Sequence, residues 1–153
     1  MKTIFVSLFF ILFQQSVMAE GNQLGFILGA PTGLSAKKEL GNNRAVDAAL
    51  AYSLRSNESL VIHANYLFEN QFALHIQDLA TLNMYYGLGG RFAFIDEGKD
   101  KDKVAIGPRA PIGLTYDFAN VPVQTFVELS ATLDLIPDTD VDFDAGIGAR
   151  IKF

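Results

Sequence analysis

The chain of 153 residues has no cysteine and no tryptophan, and only five prolines and two histidines. Without cysteine it can hold no disulfide, no thiolate metal site, no thiol nucleophile and no lipid-modified cysteine behind a leader. Small secreted domains often lean on such staples, whereas a barrel embedded in a bilayer does not. Positive charge is scarce as well: 12 Lys and Arg stand against 17 Asp and Glu, a formal net charge of −5. An acidic chain with no basic patch is poorly matched to a phosphate backbone, so nucleic acid is not an expected partner. Beyond Ala19 no apolar run approaches about eighteen residues, which excludes a transmembrane helix.

The one long apolar run is at the start. MKTIFVSLFFILFQQSVMA pairs the charge of Lys2 with an oily stretch from Ile4 to Phe13, broken only by Ser7, and ends in the small-residue cleavage pattern Val17-Met18-Ala19. That is the pattern of a secretory signal peptide, too short to span a bilayer as a helix. Residues 1–19 are therefore set apart as a leader, and residues 20–153 are one domain by length. The leader carries Lys2 and no acid, so the mature charge falls by one to −6.

What the mature chain does have is alternation. From Val141 to Phe153 every second residue is apolar (Val141, Phe143, Ala145, Ile147, Ala149, Ile151, Phe153), and those between are Asp, Gly, Arg and Lys. A period of two is a strand with one oily and one polar face. The same pattern recurs over 23–30, 33–40, 44–54, 59–68, 82–95, 103–117, 121–135 and 141–153, eight candidate strands. Turn-forming residues separate them: Ala30-Pro31-Thr32-Gly33, Gly41-Asn42-Asn43, Ser56-Asn57-Glu58, Asp96 to Asp102, Ala119-Asn120 and Pro137 to Asp140. The expected fold is all-β, an eight-stranded antiparallel up-and-down transmembrane β-barrel. Two stretches fit less simply. Residues 69–81 (ENQFALHIQDLAT) read either as a short helix or as extensions of their neighbours, and Pro108 and Pro111 inside the sixth strand predict a bulge or kink.

Alternation alone does not say which face looks inward. In the last four strands the oily face carries Leu, Ile, Val, Met, Phe and Tyr at most positions, more bulk than an eight-stranded interior can take. Most strand glycines share parity with the charges, where they would make room for Arg91, Arg109 and Arg150 inside a narrow lumen. The polar face is therefore expected inside and the oily face against lipid. Tyr52, Tyr66, Phe68, Phe94, Tyr116, Phe118 and Phe153 fall on the oily face near strand ends, where membrane barrels carry aromatic girdles.

Short patches spread through the mature chain carry a family resemblance: Pro31-Thr32-Gly33-Leu34-Ser35, Tyr85-Tyr86-Gly87-Leu88-Gly89-Gly90-Arg91, Arg109-Ala110-Pro111-Ile112-Gly113-Leu114, Phe126-Val127-Glu128 and Gly146-Ile147-Gly148-Ala149-Arg150, with Phe153 at the end. On these the chain resembles small bacterial outer-membrane β-barrel proteins. The resemblance implies eight strands similar to the OmpA and OmpX barrels, without the peptidoglycan-binding domain of OmpA. It implies residence in the cell outer membrane of a Gram-negative bacterium, with outer-membrane lipid and the assembly machinery as partners. It makes Phe153 part of the signal that this machinery reads, and it supplies no catalytic residues.

The polar parity collects a charge network of Lys37, Glu39, Asp47, His63, Arg91, Arg109, Asp117, Glu128, Asp134, Asp142, Asp144 and Arg150. Buried charges must be paired, so these residues read as an internal salt-bridge plug, with Arg109 and Arg91 neutralising carboxylates such as Glu128. The function this supports is a structural or surface-interaction protein with a filled polar lumen, any extracellular ligand being unspecified. The alternatives are a narrow, porin-like conduit for small or hydrophobic solutes and, less favoured, a lipid-modifying enzyme. His63 would serve the last, but it falls on lumen parity and no nucleophile motif surrounds any serine. Asp138-Thr139-Asp140-Val141-Asp142 starts like an EF-hand loop, yet Phe143 stands where glycine is needed and Ala149 where the closing glutamate belongs. No metal and no cofactor is expected. An even strand count puts both termini on the periplasmic side, with the tips at 30–33, 55–59, 96–102 and 136–140 outside and the long 69–81 connection periplasmic, an inversion of the usual short-turn rule.

Overall fold

The structure, a computed structural model, describes residues 21–52, 58–76, 80–96 and 102–153. The expected leader, residues 53–54 of the third expected strand and most of the charged tip at 96–102 lie outside the described residues. Eight strands follow in order: β1 (Asn22–Ala30), β2 (Thr32–Gly41), β3 (Arg44–Tyr52), β4 (Glu58–Ile76), β5 (Ala80–Asp96), β6 (Asp102–Phe118), β7 (Val123–Asp134) and β8 (Asp140–Lys152). Each pairs antiparallel with the next, and β8 returns to β1, so the sheet closes as a barrel without a free edge.

The turns follow from local chemistry. Asn42 and Asn43, at φ of 52° and 59°, are two successive residues in the left-handed region, the requirement of a two-residue hairpin turn that matches strand twist. At the other end of β2, Thr32 Oγ1 accepts from the Gly29 N–H at 3.1 Å and donates to the Gly29 carbonyl at 3.0 Å, clasping the turn at Ala30-Pro31.

The two difficult stretches resolve. Residues 69–76 and 80–81 are extended, not helical: β4 and β5 run on as one long hairpin, with Leu74 opposite Leu82 and Ile76 opposite Ala80. Its register slips by two residues between Asn70↔Met84 and Leu74↔Leu82. In β6, Pro108 and Pro111 produce no bulge against β5, since one register runs from Asp96↔Asp102 to Ala80↔Phe118. Being an odd number of residues apart, the two prolines remove donors from opposite edges of the strand. On the β5 edge the ladder skips Gly87 and Leu88; on the β7 edge it stops at Arg109↔Thr132 and resumes as a lone bridge Ile106↔Ile136, one residue out of step.

The burial pattern has the polarity expected of a barrel in lipid. On β7, Thr132 is 1% exposed whereas Leu129, three residues away and so on the opposite face, is 56% exposed. Large apolar side chains such as Leu34, Leu88, Val127, Phe143 and Ile147 cover the outer wall, while Lys37, Asp47, His63, Arg91, Arg109, Glu128 and Arg150 are buried inside. A soluble monomer rarely shows more than a few hundred Å² of contiguous apolar surface; here it runs round the whole wall.

Candidate functional site

The candidate site is the lumen. Because successive side chains alternate faces, each strand delivers every second residue to an interior of eight-stranded width, which side chains suffice to fill.

Near the chain termini, Lys37 on β2 ion-pairs with Glu69 on β4, and Gln23 Nε2 donates to Glu39 at 2.8 Å. Asp117 collects three donors there: Lys152 Nζ at 2.6 Å, Gln124 Nε2 at 2.8 Å and Asn83 Nδ2 at 3.1 Å. Further in, Asp47 accepts from Asn65 Nδ2 at 2.7 Å and lies 3.4 Å from Arg150 Nη2. Arg150 also donates to Ser35 Oγ through Nε and Nη2, at 2.9 and 2.8 Å. Glu128 is held from two sides, its Oε1 by Arg109 Nη2 and its Oε2 by the Tyr85 hydroxyl, each at 2.7 Å. Toward the opposite mouth Arg91 reaches three aspartates: Asp134 at 2.6 Å, Asp142 at 2.7 Å and Asp144 at 3.6 Å.

Most of the polar parity residues converge in the interior, with Glu39 exposed at the barrel end and with one difference in pairing. Arg91 serves Asp134 and Asp142, not Glu128, which belongs to Arg109 alone among the arginines paired with it here. His63 is buried opposite Arg91 in the β4–β5 register, and its Nδ1 has no hydrogen-bond partner among the described residues. Among the described residues no group of three or more His, Asp or Glu is placed to hold a metal. Arg109 Nε and Nη1, Ser130 Oγ and Thr132 Oγ1 also lack protein partners, leaving a demand for hydrogen bonds in the lumen that the chain does not meet.

The lumen is less uniformly polar than the charge pattern implies. Three apolar clusters interrupt it: Ile27 with Ala49 and Phe126, Ala45 with Leu67 and Tyr85, and Val61 with Ala93 and Ala105. Phe126, Leu67, Val61 and Ile27 share parity with the lumen charges, and parity was the signal that could have found them. The glycines are corrected too. A Cβ on Gly113 would lie 2.4 Å from Tyr85 Cζ, and one on Gly148 would lie 2.4 Å from Phe126 Cζ. These two positions make room for aromatic rings, and the nearest atoms to the strand glycines belong to rings, backbone, Ile27, Ala51, Leu67 and Asn65 rather than to the side chains of Arg91, Arg109 or Arg150.

Fold and lumen together define a closed, eight-stranded antiparallel β-barrel with an ion-paired interior and an apolar outer wall. Among solved structures it is similar to the crystal structure of Neisserial surface protein A (NspA), at 17% identity and a TM-score of 0.46, over 86% of this chain and 94% of that one. No protein-family model matches the chain, and no curated protein sequence matches it.

Proposed function

We propose that this chain is an integral outer-membrane barrel, exported by its N-terminal leader and assembled through Phe153, whose lumen is a plug and whose role is structural or surface-interactive. It is not read as an enzyme. The observation that carries the membrane placement is the reversal of burial across one strand thickness: charge inside, large apolar residues outside, as in Thr132 against Leu129. What supports the plug is that nearly every lumen charge has a partner and that apolar clusters sit between the charged groups. A second reading, a thread of water through the lumen, is favoured by the unpartnered atoms of Arg109, Ser130 and Thr132.

The membrane placement is tested by folding into lipid vesicles. Leu129→Arg puts a charge into hydrocarbon, expected to cost about 2–4 kcal/mol near mid-membrane, and should fold less well than Leu129→Ala. Thr132→Arg enters the lumen between its register partners Arg109 on β6 and Asp142 on β8, where crowding offsets part of the gain but the charge stays out of hydrocarbon, and should retain more yield than Leu129→Arg. Leu129→Arg folding as well as the alanine control, with Thr132→Arg failing, would put the oily face somewhere other than lipid.

A further inference from the structure

We infer that the outer wall carries a docking site for one anionic glycerophospholipid, on β2–β4 at the end nearest the chain termini. Among the described side chains that point outward from the eight strands, only two are charged, and both are cations: Lys38 on β2 and Arg44 on β3. Both are exposed, and neither has a carboxylate partner among the described residues. Lys38 lies opposite Val46, and Arg44 is two residues further along the same face of β3. Diagonal neighbours on adjacent strands are about 7–8 Å apart, within reach of two long cationic side chains closing on one phosphodiester. A lone cation on a lipid face is costly at depth and tolerated at the interface, so a pair of them on an otherwise uncharged wall marks the headgroup level.

Beside Lys38 the wall sinks into an apolar groove of about 400 Å³. Its floor is a row of register partners on three adjacent strands, Ala36 opposite Ala48 and Ala48 opposite Ala64, and its sides are Leu24, Val46 and Phe153. Groove and cations are adjacent, which is the layout of an acyl chain below a phosphate. A second groove of about 440 Å³, on β1 and β5–β8 among Leu28, Leu82, Leu114, Val127 and Ile147, has no cation in its lining. Equal room without charge complementarity makes it the built-in control. The inference rests on the membrane placement proposed above, taken together with the periplasmic termini expected from an even strand count; that end then lies in the phospholipid leaflet, and the occupant is a diacyl phospholipid and not a lipid A.

The test uses the full mature barrel, with insertion into vesicles checked by heat-modifiable gel mobility. Native mass spectrometry from micelles then compares retention of equimolar phosphatidylglycerol and phosphatidylethanolamine of matched chains. The expected result is a phosphatidylglycerol adduct in excess, the excess falling as ammonium acetate is raised. Lys38→Gln and Arg44→Gln should each lower that excess about fivefold. Lys38→Arg should keep it, Ala48→Leu should lower retention of both lipids, and Leu114→Phe should leave the ratio unchanged. Equal retention of the two lipids, or an excess that survives the double glutamine variant or is indifferent to salt, overturns the inference while leaving an inserted barrel. Wild-type protein that does not insert at all overturns the membrane placement and this site with it.

Discussion

Arg150 lies with its guanidinium carbon 3.9 Å from the centre of the Phe126 ring, inside the barrel and away from water. The ring in turn sits against Gly148, its register partner on β8. Backbone, ring and cation form a stack, and the same guanidinium carries the stack to β2 through Ser35 and to β3 through Asp47. One cation thereby joins elements that are not neighbours in the sheet, at the cost of a position on β8 that admits no side chain.

The first prediction follows from that position. Gly148→Ala would place a Cβ 2.4 Å from Phe126 Cζ and 2.3 Å from the Phe26 carbonyl, so the ring must tilt and release Arg150. Overpacking of this kind costs about 1–3 kcal/mol. The urea midpoint of the refolded barrel in detergent should fall accordingly. In a Phe126→Leu background the further loss on adding the alanine should be smaller, because only the Phe26 carbonyl contact remains; equal losses in both backgrounds would mean that the ring is not what Gly148 accommodates.

A second prediction concerns the Arg109–Glu128 pair. Arg109→Ala leaves Glu128 buried with the Tyr85 hydroxyl alone, and removing one partner of such a pair costs about 3–5 kcal/mol. The double variant Arg109→Met with Glu128→Leu removes both charges at similar volume and should recover most of that loss. Unfolding midpoints of the two variants are the measurement. A double variant no better than Arg109→Ala would show that packing around Arg109, not its charge, carries the effect.

How much of this was legible beforehand depends on what sets each feature. Alternation located the eight strands to within a residue or two for most ends, as with β8, expected over 141–153 and found at Asp140–Lys152. It left 69–81 open between a short helix and strand extensions, because Glu69-Asn70-Gln71 and Gln77-Asp78 interrupt the alternation. There the choice of strand over helix is made by pairing with β5, which is not written in the segment itself. Parity likewise assigned residues to the lumen but not to partners. That Arg91 meets Asp134 and Asp142 while Arg109 meets Glu128 depends on the stagger of β5 through β8, a property of barrel closure. Phe126 escaped notice because an apolar residue on a polar face reads as an interruption, although small barrels fill their interiors with whatever fits.

Phe153 separates two roles. Its backbone N–H donates to the Asn22 carbonyl at 2.9 Å, tightening the seam between β8 and β1, while its side chain is exposed on the outer wall. Phe153→Ala keeps the bond and removes the ring. If Phe153 acts in assembly as proposed, the expected outcome is a several-fold loss of the heat-modifiable folded band in cell membranes. The same purified variant should fold into vesicles with near wild-type yield, where no machinery is present. Equal loss in both settings would assign the ring a purely structural part.

The last prediction decides between plug and conduit. On the plug reading, an ion crossing the lumen meets the Ile27–Ala49–Phe126 and Ala45–Leu67–Tyr85 clusters, whose side chains are apolar apart from the Tyr85 hydroxyl, already donated to Glu128. It must also disturb ion pairs whose partners have few alternatives, since the charges are buried and the walls are strands that cannot open without breaking the closed ladder. The polar atoms left unpartnered on Arg109, Ser130 and Thr132 can hold water locally, but a local pocket of water is not a path. Wild-type protein in a planar bilayer should therefore give no single-channel steps. Phe126→Ala combined with Tyr85→Ala removes two large rings that are buried inside the barrel and should introduce steps, provided the variant retains its heat-modifiable mobility. Steps from the wild type, unchanged when both rings are removed, would mean that ions pass by a route these clusters do not block, and the plugged lumen would have to be abandoned.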